Sequence, residues 1–233
     1  MYGLNAVALI LFSVINICAY ALCKYPEKRR KPILLALCLV LLLGNLFRYA
    51  VLYPLRGAVR IPVEFSTVAY FVVPAFLLTG SKRLRSWAAY SGLMAGFFYY
   101  LGMIAAGGPL YHASAPLSVY VSMFCHGCVY LLGFVTIGTC VCDMHDKGKL
   151  VLGVAWVAIR AALLRPFVSG GERFLIYTLL DGVCVKQVVP QVFWQWALPV
   201  YYAAVLLLVW FTILGFFRRS RKQYQKFSGA AAV

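Results

Sequence analysis

Apolar residues run almost unbroken for about twenty positions at a time along this chain, and polar residues gather in the short segments between. Runs near 3–23, 33–54, 62–80, 87–106, 117–141, 150–168 and 193–217 each have the length of a helix crossing the hydrocarbon core of a bilayer. The pattern predicts an all-α fold: a polytopic membrane helical bundle of seven transmembrane helices. Residues 1–217 form one transmembrane domain in this reading, and 218–233 a basic cytoplasmic tail. In the stretch 169–192, Asp181 and Lys186 interrupt a run too short to span, which predicts an outer loop carrying a surface or re-entrant helix. Gly92, Gly96, Gly133 and Gly138 are the small residues through which the helices are expected to approach one another.

Composition fixes the solvent. Hydrophobic residues make up 64% of the 233 positions and charged residues 12%, far from the roughly 45–50% and 25% of soluble domains. The net charge of +16 would suggest nucleic acid in a soluble protein; here most Lys and Arg flank apolar runs and read as topology signals. Fifteen basic residues lie in the first, third and fifth connections and the C-terminal segment, against Arg56, Arg60, Arg173 and Lys186 on the other side. By the positive-inside rule the N-terminus is outside and the C-terminus cytoplasmic, in a multi-pass protein of the cell membrane. Anionic lipid headgroups at the cytoplasmic face are then the expected partners, and nucleic acid is not. The first run is not a cleavable signal, because Lys24, Lys28, Arg29, Arg30 and Lys31 follow it rather than precede it. Of eight cysteines only Cys184 falls on the outer side, so no disulfide framework is expected. Cys125 and Cys128 in "CHGC" read as packing residues, with neither a metal nor another cofactor implied.

Polar residues inside the runs are the candidate chemistry, since a charge at bilayer depth costs about 2.5–3.5 kcal/mol and defaults to a paired or functional residue. They are Arg48, Glu64, Ser66, His126, Arg160 and Arg165. At 1.5 Å per residue Ser66 lies roughly 6 Å, Arg48 roughly 9 Å and His126 roughly 14 Å below the outer ends of their runs, with Arg160 near the midplane. A hydroxyl, an imidazole, a carboxylate and guanidinium groups at overlapping depths have the parts of an acyl-transfer site. Each also has a plainer use. Ser66 can bond the Pro62 carbonyl at i−4, Glu64 can pair with Arg60 at i−4, and Arg48 and Arg165 can snorkel to the interface. His126, with Ser122 and Tyr130 one turn away, is the hardest to assign to packing alone.

The order of two segments resembles the YwaF-type integral membrane family and its eukaryotic relatives, which remodel ether phospholipids as acyltransferases. "IPVEFS" (Ile61 to Ser66), with Pro74 beyond it, is similar to the family's helix-opening "Leu-Pro-Leu-His/Gln-Leu-Cys", and "MFCHGCVYL" carries a matching His126-Gly127. "RFLIYTLLDG" and "WQWALPVYY" faintly resemble the family's region leading into its last span. Ser66 stands where the family has its nucleophilic cysteine, and Glu64 where it has His or Gln. Membrane hydrolases of fatty acid esters of hydroxy fatty acids use a threonine with a histidine, so a hydroxyl nucleophile is chemically reasonable; the change could equally mark a lost activity. The resemblance implies a lipid acyltransferase or lipid-ester hydrolase in the outer half of the bilayer. Ser66 is its nucleophile and His126 its base, Glu64 or Arg48 orients the pair or supports the oxyanion, and Arg48, Arg160 and Tyr130 contact a phospholipid or fatty-acyl ester. The alternative is a non-catalytic lipid-binding or transport protein, a pseudoenzyme, whose Arg48, Glu64 and Arg160 form a structural polar network.

Overall fold

The computed structural model describes residues 3–55, 61–110, 116–167 and 180–229. In chain order these hold α1 (Gly3–Lys24), α2 (Glu27–Phe47), a π-helical turn (Arg48–Leu52) leading into α3 (Tyr53–Leu55), α4 (Phe65–Thr79), α5 (Arg85–Leu110), α6 (Pro116–Thr139), α7 (Lys147–Leu164), α8 (Val183–Val188) and α9 (Trp194–Ser228). There is no strand among the described residues. Six stretches, Gly3–Lys24, Glu27–Leu55, Arg85–Ala105, Val119–Thr139, Met144–Phe167 and Gln191–Ser228, are long and apolar enough to cross a membrane. This is a multi-pass membrane bundle.

The run expected at 62–80 is shorter as a helix than as a sequence pattern. Proline disfavours helical geometry in the residue before it, and the chain passes through Ile61–Glu64 without helical structure, with Glu64 extended (φ −66°, ψ 148°) as the N-cap of α4. The 15 residues of α4 rise only about 22 Å against a core of about 30 Å. Gly80, in the left-handed region at φ 64°, ends the helix, its N–H bonding the Phe76 carbonyl, as residues without a Cβ do at helix C-termini.

The bundle is built around α6. Its apolar window is 83% buried, against 17% for those of α7 and α9, so α6 is the axis and the others are its wall. In lipid no hydrophobic gain drives helices together; close backbone packing does. A Cβ on Gly96 would stand 2.3 Å from Tyr130 Cβ and 2.7 Å from the His126 carbonyl oxygen, and one on Gly92 2.5 Å from the Val129 carbonyl oxygen. Gly133, from the α6 side, lies equally close to Leu93 and Ala89. The expected glycine contact is therefore the α5–α6 seam. Gly138 serves a different one, where its missing side chain admits Cys23 and Phe227.

The charge asymmetry of the sequence becomes an asymmetry of shape. Phe227 of α9 meets the Tyr20 ring of α1 edge-on at 5.2 Å, Arg85 donates to the Val141 carbonyl at 3.2 Å, and Ser86 donates to Asp146 at 2.6 Å. The ends of α1, α6 and α9 and the starts of α5 and α7 thus share one end of the bundle. The fifteen basic residues of those connections collect there. At the opposite end Asn5 donates to the Ile104 carbonyl at 2.9 Å, and Ala8, Tyr100, Met103, Val119 and Met123 form a second apolar cluster. No break occurs at 217: α9 runs on as one helix of 35 residues, about 52 Å long, with Phe216, Phe217, Ser220 and Phe227 on its buried face. Within the expected outer loop the described part holds the short helix α8; residues 168–179 lie outside the described residues.

Candidate functional site

His126 sits near the middle of α6, only 6% exposed. Tyr99 of α5 lies flat on its ring, centroids 3.7 Å apart and planes 10° from parallel, and Tyr70 of α4 meets it edge-on at 5.4 Å. The Gly96 contact one turn before Tyr99 brings α5 near enough for that stacking. His126 Nδ1 is 2.7 Å from the Ser122 carbonyl oxygen, a group that only accepts, so Nδ1 carries the proton. The Tyr70 hydroxyl lies 2.9 Å from Nδ1 and 3.2 Å from Nε2; with the Nδ1 proton committed to the Ser122 carbonyl, Nε2 is the nitrogen with a lone pair to accept from it. Ser122 Oγ also lies 3.3 Å from Nδ1.

The hydroxyls of α4 divide sharply. Thr67 donates to the Glu64 carbonyl at 2.8 Å, Thr79 to the Ala75 carbonyl at 2.6 Å, and Tyr70 to His126. Ser66, half-buried, makes no hydrogen bond among the described residues. The carbonyl four residues before it, that of Pro62, precedes the extended N-cap and so is out of helical register with Ser66; it accepts from the guanidinium of Arg160 from α7. Val157 and Ala161, on either side of Arg160, pack with Val63 and partly buried Phe65 and Trp87, which holds α7 against the start of α4. Ser66 and Tyr70 are four residues apart, and so face the same way about 6 Å apart along the helix.

Arg48 opens the π-helical turn. Pro54 has no N–H and its ring crowds the carbonyl four residues back; the helix responds by lengthening its bonds to i→i−5, with Tyr53 N–H on the Arg48 carbonyl. Such turns recur at functional sites. The Arg48 guanidinium lies over the Tyr53 ring, 5.2 Å from its centroid, within electrostatic reach of both Tyr70 and His126. One turn earlier Asn45, fully buried, donates to the Leu41 carbonyl at 2.8 Å and to Cys125 Sγ at 3.8 Å.

Of the residues expected from sequence, the fold thus brings Arg48 and His126 into one neighbourhood, with Ser66 one turn away along α4 and Glu64 at its cap. Arg160 reaches the lead-in to α4 instead. Tyr130 points elsewhere: its hydroxyl donates to Asn16 Oδ1 of α1 at 2.9 Å, and its ring packs on Phe12. Arg60, the expected partner of Glu64, lies outside the described residues. Arg165 pairs with Asp181 at 2.8 Å. No group of three His, Cys, Asp or Glu side chains among the described residues is placed to hold a metal ion. Sequence reasoning missed Tyr70 and Tyr99. Tyr70 carried one signal, its position a turn beyond Ser66; Tyr99, within "FFYY", is indistinguishable from the aromatic residues of a membrane interface. Compared with known proteins, the chain matches no family model, no curated protein and no solved structure.

Proposed function

We propose that this is a membrane-embedded lipid acyltransferase or lipid-ester hydrolase in which Ser66 attacks the acyl carbonyl and His126 is the base. The observation that carries the reading is the Ser66 hydroxyl, left without a hydrogen bond while the other α4 hydroxyls are engaged. Ser66 Oγ adds to the ester carbonyl. Its proton passes to His126 Nε2 through the Tyr70 hydroxyl and returns to the departing alcohol. The acyl-serine then transfers to a lysolipid hydroxyl or to water. Arg48 near Tyr70 and His126, and Arg160 at the lead-in to α4, with Glu64 the only carboxylate among the site residues, leave an excess of positive charge on both sides of Ser66, suited to a phosphate headgroup or a developing oxyanion. The YwaF-type resemblance belongs to this proposal, as do a seventh crossing made by α4 with its extended lead-in and a cytoplasmic basic end in the cell membrane.

A second reading, a lipid-binding protein with a structural polar core, is favoured by one observation: both His126 ring nitrogens already have partners within the bundle. A fluorophosphonate lipid analogue separates the two. Mass spectrometry of the treated full-length protein is expected to place one adduct on Ser66, absent in Ser66→Ala. The adduct should form at least about 100-fold more slowly in His126→Asn, the usual contribution of a general base. Absence of any adduct in protein that retains lipid non-covalently would replace the catalytic reading with the second one.

A further inference from the structure

The basic end of the bundle contains a cluster that neither topology nor the Ser66 site explains. Lys24 Nζ lies 4.7 Å from the centroid of the Tyr20 ring, and Lys226 Nζ of α9 lies 5.0 Å from the same centroid. The two ammonium groups are therefore at most about 10 Å apart, comparable with the Debye length of about 8 Å at physiological salt. Arg30, at the start of α2, folds back on the same place: its Nη1 donates to the Tyr25 carbonyl at 3.3 Å, and it is within electrostatic reach of Cys23. Lys222 and Arg219 precede Lys226 by one and two turns, so α9 presents all three on one face. None of Lys24, Arg30 and Lys226 is in an ion pair among the described residues, where Asp146 is bound to Lys149 and Asp181 to Arg165.

A positive-inside bias requires only that cations be on this side. It does not require ammonium groups from α1 and α9 to share one aromatic ring beside the Arg30 guanidinium of α2, with none of the three in an ion pair among the described residues. The ring offers each ammonium a favourable face, but like charges held this close call for a multivalent anion. The cluster is at the membrane-flanking end of α1, where the anion at hand is a lipid phosphate.

We propose that Lys24 and Lys226 on the Tyr20 ring, with Arg30 at the neighbouring Tyr25 carbonyl, bind the phosphate of an anionic phospholipid from the adjoining leaflet, clamping the end of α9 to α1. This inference rests on the membrane-spanning architecture and is independent of the chemistry at Ser66.

The test uses full-length protein in detergent with phosphatidic acid, whose phosphomonoester can span the three cations, and phosphatidylcholine as comparison; native mass spectrometry reads the lipid retained. Lys24→Ala/Lys226→Ala is expected to lower phosphatidic acid retention about tenfold or more, at roughly 1 kcal/mol per basic residue. Retention of phosphatidylcholine and labelling at Ser66 should not change. Lys82→Ala/Arg83→Ala removes the same charge elsewhere at this end and should leave retention unaltered, and Lys24→Arg/Lys226→Arg should preserve it. Equal losses in the two alanine pairs, or displacement of the lipid by inorganic phosphate alone, would overturn the proposal. So would loss of binding in the arginine pair with melting unchanged.

Discussion

Gly96→Ala is expected to lower the melting temperature of the detergent-solubilised protein more than any other single-methyl addition in the bundle, and Gly96→Val to prevent a monodisperse fold. The added Cβ would stand 2.3 Å from Tyr130 Cβ, 2.7 Å from the His126 carbonyl oxygen and 3.1 Å from Tyr130 Cα. All three atoms are backbone or fixed directly to it, so rotating a side chain offers no relief, and α5 and α6 must move apart by about 1 Å to restore ordinary contact. Overpacking of this kind costs about 1–3 kcal/mol in well-packed interiors. At this position it also forfeits dispersion along the seam that replaces hydrophobic driving force in lipid. Gly102→Ala, six residues further along α5, is the internal control. A Cβ there meets nothing within 4 Å, and alanine is worth up to about 1 kcal/mol over glycine in a helix. The two substitutions should therefore shift melting in opposite directions. Equal shifts would contradict the close approach of α5 and α6. Because Tyr99 lies one turn from Gly96, the same substitution should loosen the stacking on His126 and disturb the site before the fold is lost.

What could be read from the sequence divides along physical lines. Runs of apolar residues and the placement of Lys and Arg are one-dimensional quantities, and six of the predicted runs did become helices long enough to cross a membrane. The basic end followed from the same count, since helices joined by short connections must bring alternate loops to the same end. Gly92, Gly96 and Gly133 were legible as contact residues because glycine serves little else inside a membrane helix. The site was legible only as a set of residue types. Which way Tyr130 faces depends on how α6 is rotated against α1, and the acceptor of its hydroxyl, Asn16 Oδ1, is 114 residues distant in the chain. The contact at the Pro62 carbonyl is equally non-local: its donor, Arg160, is 98 residues away. The serine hydroxyl is left available because, after the extended Glu64, α4 starts only one residue before Ser66, so that no helical carbonyl stands at i−4. The π-helical turn at Arg48 is an intermediate case. Pro54 announced a disturbance of α2, but a kink, a break and a wider turn are all available responses.

Tyr70→Phe and His126→Leu, singly and together, are expected to show that the hydrogen bond between these residues holds α4 to α6. His126→Leu leaves the buried Tyr70 hydroxyl without its acceptor, and Tyr70→Phe leaves Nε2 without its donor; stranding one partner of a buried pair costs about 1–3 kcal/mol. The double variant removes both polar groups, and replacing both by apolar groups approaches neutrality. It should therefore be less destabilised than the sum of the singles, with a coupling energy between about 0.6 and 1.7 kcal/mol, the range from average to strongest for such bonds in membrane bundles. Reversible unfolding in mixed micelles, followed by tryptophan fluorescence, reads all four corners of the cycle. A coupling indistinguishable from zero would mean that the Tyr70 to His126 bond contributes nothing, and the proton path from Ser66 would lose its middle member. The catalytic consequence can be separated from the structural one in the same proteins. Tyr70→Phe keeps the ring that meets His126 edge-on and removes only the hydroxyl, so a variant that melts within a few degrees of wild type yet labels slowly at Ser66 isolates proton transfer. If labelling instead keeps its wild-type rate in Tyr70→Phe and falls only in His126→Leu, the imidazole acts on Ser66 directly, and α4 must turn to bring the two together.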